Sequence, residues 1–418
     1  MKKKLDADKI LLMAVCLIVA VVEENILCNY LISVSLVYVT FCLIREAIYS
    51  KHYPLLIMSL FMGTYCIIPI PFLLWGEHII DHILDVETVS TVYDAAVCLL
   101  LFMTMLYVFV HKYKRNPIVH NDKFIDYRNN AGYIACVVMA VVCISYGLSG
   151  ANIFTAGGYG TNAGLRSSLY EYGILPLSVG LIFARTKTQK FVLFAMCTFY
   201  VFKDVMFGGR VSSVILIITV FLIQFQNRFS TKQLLLFIIV GYVFFTIWGI
   251  FRADTTGSIS SIELKEDGNA KFVYYASMRI HYLIQHGFLN LQIRIESFIY
   301  FILSVFVPVE MLPKHANLAS FMQDDYYSGG GGLISTYLYA WLFYPGVIFI
   351  AWFVAKVLNK MYDQRCSPYL RYYSILMVAA VPRWFAYYPI PLIKFCLYGV
   401  ILFWLLTRFD NRRIVRIK

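Results

Sequence analysis

The sequence predicts an all-α, polytopic integral membrane protein with about twelve transmembrane helices and a large outer loop. Apolar residues make up 60% of its 418 residues, charged residues only 14%, and the mean hydropathy is +0.69. A water-soluble fold of this composition would lack the polar surface that it needs, so the bilayer is the expected solvent. The apolar runs are continuous rather than alternating, which favours helices over the strands of a barrel.

The apolar runs follow one another with short polar breaks between them. A helix needs roughly 20 mostly apolar residues to cross the hydrocarbon core. The predicted spans are 10–22, 26–44, 54–75, 92–110, 132–148, 172–184, 191–207, 211–226, 234–251, 333–358, 369–385 and 391–406. We keep the first run as a helix, because no cleavage site of small residues precedes Glu23 and Glu24. The ten cysteines lie almost all in apolar runs without a CxxC motif, which is typical of core residues.

Basic residues indicate the orientation of the chain. With the amino terminus inside, the cytoplasmic breaks carry Arg45, Lys51, Lys112, Lys114, Arg115, Lys123, Arg128, Arg185, Lys187, Lys190, Arg228, Lys232, Lys360 and Arg365. The outer stretch 77–94 is acidic and has no Lys or Arg. This bias predicts that both termini are cytoplasmic. The net charge of +12 thus reports topology, and nucleic acid is not an expected partner.

Two predicted outer segments are long, 149–171 and 252–332, and long loops usually carry function. Within the second, 272–284 and 294–307 have helical apolar spacing. We expect short interfacial helices there, lying on the membrane surface or dipping into it. No internal repeat of fixed period is visible, which counts against transporters built from duplicated halves.

Arg210 follows Gly208 and Gly209 at a tight junction between two predicted spans. Its planar fork suits two phosphate oxygens, and the helix that begins behind it offers unpaired N–H groups to an anion. The alternative is an anchor that reaches the phospholipid head groups. Lys203 and Asp204 precede the junction and point about 100° apart on a helix, so they support Arg210 or pair with another helix.

Two further arginines lie in the outer segments. Arg166 is surrounded by glycines that allow a ligand to approach the backbone, although a mobile loop with one stray arginine is an equal alternative. Arg279, Tyr282 and His286 share one helical face, which predicts a phosphate clamp or a cationic face against lipid head groups.

A general base has several outer candidates, namely His281, His286, His315, Asp254, Glu296, Asp324 and Asp325. The imidazoles are favoured because their usual pKa is close to neutrality. The pair Asp324 and Asp325 lacks further acidic residues at ligand spacing, so we expect no metal. Phosphate-binding loops, dinucleotide fingerprints and GxSxG are not found, which argues against nucleotide hydrolysis.

The chain resembles the Wzy-type O-antigen and capsular polysaccharide polymerases over most of its length. The resemblance rests on the number of spans, the junction 207–210, the loop with Arg166, and the large outer loop before the aromatic-then-Gly span 338–347. The related ligases have a His followed shortly by Glu-Gly. No Glu-Gly follows His315, which tells against a ligase.

The resemblance implies a membrane-embedded glycosyltransferase of GT-C-like architecture in the bacterial inner membrane. Such an enzyme joins undecaprenyl-diphosphate-linked oligosaccharides at the outer leaflet, without a metal or cofactor, and works with a chain-length regulator protein. Arg210 and Arg279 would then bind the diphosphate, with Arg166 or Arg252 assisting, and Arg294 and Lys203 would add positive charge. His281 or His315 would deprotonate the acceptor hydroxyl.

Two other classes of function remain open on the sequence. A flippase for the same lipid-linked sugars would also use twelve spans and a cationic cavity, but it commonly has short loops on both sides. A scaffold protein is disfavoured by the cost of Lys203 and Asp204 in lipid.

Overall fold

The computed structural model of the protein describes residues 6–77, 79, 89–111, 124, 127, 129–148, 168–206, 210–226, 228–253, 269–308, 311–326, 331–361 and 366–408. Regular structure in these ranges is helical throughout. The helices are α1 (Ala7–Val21), α2 (Ile26–Ser50), α3 (Tyr53–Ile67), α4 (Ile70–Trp75), α5 (Val89–Phe109), α6 (Asn130–Gly147), α7 (Ser168–Tyr172), α8 (Ile174–Phe183), α9 (Lys187–Met206), α10 (Val211–Val220), α11 (Thr231–Ala253), α12 (Asn269–Gln285), α13 (Leu291–Leu303), α14 (Leu318–Tyr326), α15 (Ile334–Met361), α16 (Pro368–Ala379), α17 (Val381–Trp384) and α18 (Ile390–Arg408).

The all-α prediction is confirmed for the described ranges, and one or two helices cover each predicted span. Six segments are long and apolar enough to cross a membrane, namely Ile26–Ser50, Tyr53–Trp75, Ser90–Phe109, Asn130–Gly147, Ile334–Met361 and Ile390–Arg408. Three apolar helices are shorter: Leu169–Phe183, Val211–Phe225 and Thr231–Gly241. The chain is therefore a multi-pass helical membrane protein by length and composition, and the total of twelve spans stays a prediction.

The helices group into two compact units, where the sequence predicted one membrane domain over 1–418. Unit 1 comprises Met1–Pro117, Asp267–Asp363 and Val381–Lys394. Unit 2 comprises Ile118–Glu266, Gln364–Ala380 and Phe395–Lys418. Hydropathy identifies apolar runs but does not say which runs pack together, so this grouping was not visible in the sequence.

The helix directions in unit 1 follow from polar contacts at their ends. Near the start of α1, Nζ of Lys9 donates to the carbonyl oxygen of Val108, at the end of α5, at 2.9 Å. Near the end of α15, Nδ2 of Asn359 donates to the carbonyl oxygen of Phe109 at 2.9 Å. Hence α1 runs antiparallel to α5, and α15 runs parallel to it, as the alternating spans predict.

Charge is unevenly distributed along unit 1. One end, which we call the basic end, holds Lys9, Arg45, Lys51, Lys356 and Lys360. The opposite end contains the first turns of α5 with Ser90 and Asp94, and we call it the Asp94 end. Glu23 and Glu24 follow α1 toward the same end. The short breaks at the basic end therefore carry several cations, whereas the first turns of α5 carry an acidic residue, which is the bias that the positive-inside rule describes.

The two predicted interfacial helices form, but they differ in burial. In α12, most side chains from Val273 to Leu283 are buried against α3, α5 and α15. The hydroxyl of Tyr274, for example, donates to the carbonyl oxygen of Val92 at 3.0 Å. Segment 272–284 thus packs among other helices, and of the two predicted positions, on the membrane surface or dipping into it, this burial favours the second. By contrast, α13 leaves Ile295 and Ile299 exposed, which suits a helix that contacts lipid.

Helix α15 is broken in its middle. Phe343 has φ 54° and ψ −157°, and Pro345 follows two residues later without an N–H to donate. A positive φ at a bulky residue is uncommon and persists only when the surroundings hold it. Gly346 permits the close packing at the break, because a Cβ there would lie 2.5 Å from the carbonyl oxygen of Leu338. The aromatic-then-Gly sequence is therefore the point at which a long helix becomes two.

Candidate functional site

Arg294 of α13 caps the first half of the broken helix. Its Nε donates to the carbonyl oxygen of Ala340, and its Nη2 donates to that of Tyr339 at 3.1 Å. In a continuous helix these carbonyls would accept hydrogen bonds from backbone N–H groups one turn later, and the break at Phe343 interrupts that pattern. A cation at a helix C-terminus is also favourable to the helix dipole. Arg294 is only 5% exposed and is held by these carbonyls, and its role in binding a diphosphate stays a prediction.

His281 of α12 lies beside the same break. Its ring centroid is 5.1 Å from that of Tyr339, and its Nδ1 is 3.9 Å from Oδ2 of Asp94. Neither ring nitrogen has a hydrogen-bond partner in the described ranges. Burial lowers the pKa of His281 to about 3, and the charge of Arg294 acts in the same direction. The ring is 1% exposed and is neutral at pH 7, and the role of His281 as a general base stays a prediction.

Acidification is expected to destabilise the protein partly through His281. The unfolded chain protonates this imidazole below about pH 6.5, whereas the folded protein resists protonation down to about pH 3. The free energy of unfolding should therefore decrease as the pH is lowered from about 6.5 to about 3, by about 1.4 kcal/mol per pH unit for this one group. Thermal unfolding in lipid at pH 7.5 and pH 5 should show a smaller pH effect for His281→Gln than for the wild-type protein. His111→Gln, at an exposed histidine, supplies the control, and an equal pH effect in the wild-type protein and in both variants would contradict the assignment.

A hydrogen-bonded group at the Asp94 end joins α5 to α12. Nε2 of Gln285 donates to Oγ of Ser90 at 2.8 Å and to Oδ2 of Asp94 at 2.9 Å. We call Ser90, Asp94, His281 and Gln285 the Asp94 cluster. The Asp94 side chain is 33% exposed, in contrast to that of His281 behind it. The sequence analysis did not select Asp94, although its position inside the predicted span 92–110 was the signal, because ionisable residues in membrane spans are usually functional.

His315 forms a second polar pair in unit 1. It lies in the 3₁₀ turn Lys314–Ala316, and its Nε2 is 3.1 Å from Oε2 of Glu296 on α13. Nε2 of Gln292 donates to the other carboxylate oxygen of Glu296 at 2.8 Å. Both side chains are partly exposed. Nε2 of His315 makes no hydrogen bond in the described ranges, so Glu296 acts on the imidazole through its charge, which favours the protonated ring and suits a proton acceptor.

The predicted shared face of α12 is present in the structure. Cζ of Arg279 lies 5.7 Å from the ring centroid of Tyr282, whose ring stacks on that of His286 at 4.0 Å. Arg279 is partly exposed. The face therefore presents a guanidinium beside two rings, and this arrangement suits either predicted ligand, a diphosphate or a lipid head group.

In unit 2, Asp204 occupies the helix start that was predicted to receive an anion. Its Oδ2 accepts hydrogen bonds from the backbone N–H of Ser213 at 3.0 Å and from Oγ of Ser213 at 2.6 Å. The carboxylate therefore meets the N-terminus of α10, at which Arg210 is the N-cap residue. Lys203 is 1% exposed. The prediction that α10 offers free N–H groups to a diphosphate is accordingly wrong for Ser213, because a carboxylate already accepts from it.

Some predicted site residues lie outside the described residues, namely Arg166, the junction 207–209, and the side chains of Arg252, Asp324 and Asp325. In the ranges that are described, no group of three or more His, Cys, Asp or Glu side chains is placed to hold a metal ion.

The helices and these polar groups define a polytopic membrane protein with ionisable side chains buried among apolar helices. No protein-family model, curated protein or solved structure matches the chain.

Proposed function

We propose that the protein is a Wzy-type polymerase, a membrane glycosyltransferase that joins undecaprenyl-diphosphate-linked oligosaccharide repeat units. The observation that carries this proposal is the set of ionisable side chains placed among apolar helices around the break in α15. Arg294 and His281 both contact Tyr339: Nη2 of Arg294 lies 3.1 Å from its carbonyl oxygen, and the two ring centroids of His281 and Tyr339 are 5.1 Å apart. Nδ1 of His281 in turn lies 3.9 Å from Oδ2 of Asp94. Such groups are costly in a membrane and usually mark a substrate site.

The charge distribution of unit 1 supports an outer-leaflet reaction. If the basic end faces the cytoplasm, as the positive-inside bias favours, the Asp94 end faces outward. The amino terminus is then cytoplasmic, and twelve spans return the carboxyl terminus to the same side. A bacterial inner membrane with the lipid-linked sugar in its outer leaflet fits this orientation.

In the proposed reaction, the acceptor hydroxyl of one repeat unit attacks the anomeric carbon of another. The new glycosidic C–O bond forms as the C–O bond to the diphosphate breaks, and the diphosphate leaves with the bonding electrons. The hydroxyl proton passes to His315, whose Nε2 lies 3.1 Å from Oε2 of Glu296. Arg279 stabilises the charge that develops on the diphosphate, because a guanidinium offers two parallel donors to phosphate oxygens.

Reconstitution provides the test of this function. The purified protein is placed in liposomes with undecaprenyl-diphosphate-linked repeat units, and the products are separated on a gel. We expect a ladder of polymer from the wild-type protein, and its loss with Arg279→Ala and, separately, with Arg210→Ala. A ladder of normal length from Arg279→Ala would remove this residue from the site, and no ladder from the wild-type protein would overturn the function.

A flippase for the same lipid is the second candidate, and the broken helix α15 favours it. Discontinuous helices at a binding site are typical of transporters. The two functions separate in sealed liposomes, because a flippase moves the lipid-linked sugar across the bilayer and leaves its length unchanged. Transfer across the membrane without polymer would support the flippase.

A further inference from the structure

We propose that the Asp94 cluster is a binding site for vicinal hydroxyl groups of a saccharide. The inference that the bound saccharide is the acceptor sugar rests on the proposed function, whereas the inference that the cluster binds hydroxyl groups does not. The cluster lies at the Asp94 end of unit 1, where α5 and α12 expose their polar side chains. No hydrogen-bond partner within the described ranges contacts Oδ1 of Asp94 or Oε1 of Gln285. Two acceptors therefore stand next to each other on a partly exposed surface.

The chemistry of these groups selects hydroxyls over other polar ligands. A vicinal diol offers two O–H donors, and a carboxylate accepts two parallel hydrogen bonds. The carbonyl oxygen of Gln285 accepts a third, and Ser90 can donate one from its hydroxyl. A phosphate would be repelled by Asp94, and a divalent cation would find too few oxygen ligands here.

Aromatic rings stand beside the polar groups. The rings of Tyr339 and Tyr344 have their centroids 5.0 Å apart, both are partly exposed, and Asp94 interacts electrostatically with both. The C–H face of a pyranose is apolar and packs on an aromatic ring, while its hydroxyls point sideways to polar partners. A few convergent polar groups beside aromatic walls are the usual make-up of a small-ligand site.

His281 is the independent observation that points to a ligand. It is 1% exposed, neither of its ring nitrogens has a hydrogen-bond partner in the described ranges, and Nδ1 faces Asp94 at 3.9 Å. An unsatisfied buried polar group is unfavourable. A shift of Asp94 by about 1 Å on binding a sugar would complete a hydrogen bond to Nδ1. We therefore assign His281 as a positioning residue behind Asp94.

Binding is measured by saturation-transfer NMR on the full chain in lipid nanodiscs free of sugar-based detergent. The probes are the methyl glycosides of D-glucose, D-galactose, L-rhamnose and N-acetyl-D-glucosamine. At least one should bind the wild-type protein, and its dissociation constant should rise by roughly tenfold or more in Asp94→Asn and in Gln285→Ala. Asp8→Asn is the matched control, because Asp8 lies at the basic end with 34% exposure against 33% for Asp94.

Two outcomes would overturn the site: none of the four glycosides binds the wild-type protein, or Asp94→Asn binds as well as Asp8→Asn. The polymerase assay separates this result from the proposed function. Saccharide binding that depends on Asp94 without any polymer ladder would keep the site and remove the polymerase. A ladder that is unchanged in Asp94→Asn would keep the polymerase and remove the site.

Discussion

Chain growth in liposomes is expected to be about 10²–10⁴-fold slower with His315→Ala than with the wild-type protein. The imidazole is the proposed acceptor of the hydroxyl proton, and alanine leaves no group to take it. Nε2 of His315 lies 3.1 Å from Oε2 of Glu296, so the carboxylate stabilises the imidazolium that forms when the ring takes the proton. The initial rate of polymer formation, with donor and acceptor at saturating levels, is the measurement.

Glu296→Gln separates the effect of the carboxylate charge on His315 from the effect of losing a side chain. It keeps the shape of the residue but removes the charge that stabilises an imidazolium, so we expect a smaller loss than with His315→Ala. His111→Ala is the control, since His111 is an exposed histidine at the basic end. If His315→Ala and His111→Ala formed polymer at the same rate, His315 would not be the base.

Most of the helices were predictable because they depend on local composition, whereas the short helix α14 was not predicted, since no apolar run marks it. Apolar runs of helical length identified the segments that the structure describes as helices, within a few residues at each end. The break in α15 was only partly predictable. Pro345 and Gly346 are visible in the sequence, but the contact of Phe343 with Arg294, which lies about fifty residues earlier, is not. Contacts of this kind come from packing and have no local signature.

The same limit applies to the candidate site, because the sequence shows the types of residue but not their tertiary contacts. The sequence identified which ionisable residues stand among apolar ones, but not which of them are exposed. It therefore ranked His281 with His315, although burial separates the two completely. It also treated Arg294 as a phosphate ligand, whereas two backbone carbonyls hold its guanidinium. Asp94 was not selected because it was counted only as part of the acidic outer stretch 77–94, and its contact with α12 has no signature in the sequence.

Arg294→Met is expected to lower the stability of the protein by several kcal/mol. The substitution preserves much of the side-chain volume but leaves the carbonyl oxygens of Tyr339 and Ala340 without their donor. Each unsatisfied buried group costs about 1–3 kcal/mol. The guanidinium also lies 4.1 Å from the ring of Phe343, which is 46% exposed, so this contact adds about 0.5–1 kcal/mol. Because these contacts hold a strained residue in place, their loss also frees the break in α15 to rearrange.

Thermal unfolding of the purified protein in nanodiscs measures this effect, with Arg45→Met as the matched control. Arg45 makes a 3.2 Å ion pair with Asp8, but it is 50% exposed, so the pair contributes at most about 1 kcal/mol. Arg294→Lys should fall between the two, because an ammonium keeps the charge at the helix end without the fork that reaches two carbonyls. Equal midpoints of thermal unfolding for Arg294→Met and Arg45→Met would mean that the first half of α15 does not need the hydrogen bonds from Arg294. The large difference in unfolding midpoint that we expect would instead show that the geometry around His281 depends on Arg294, because both residues contact Tyr339.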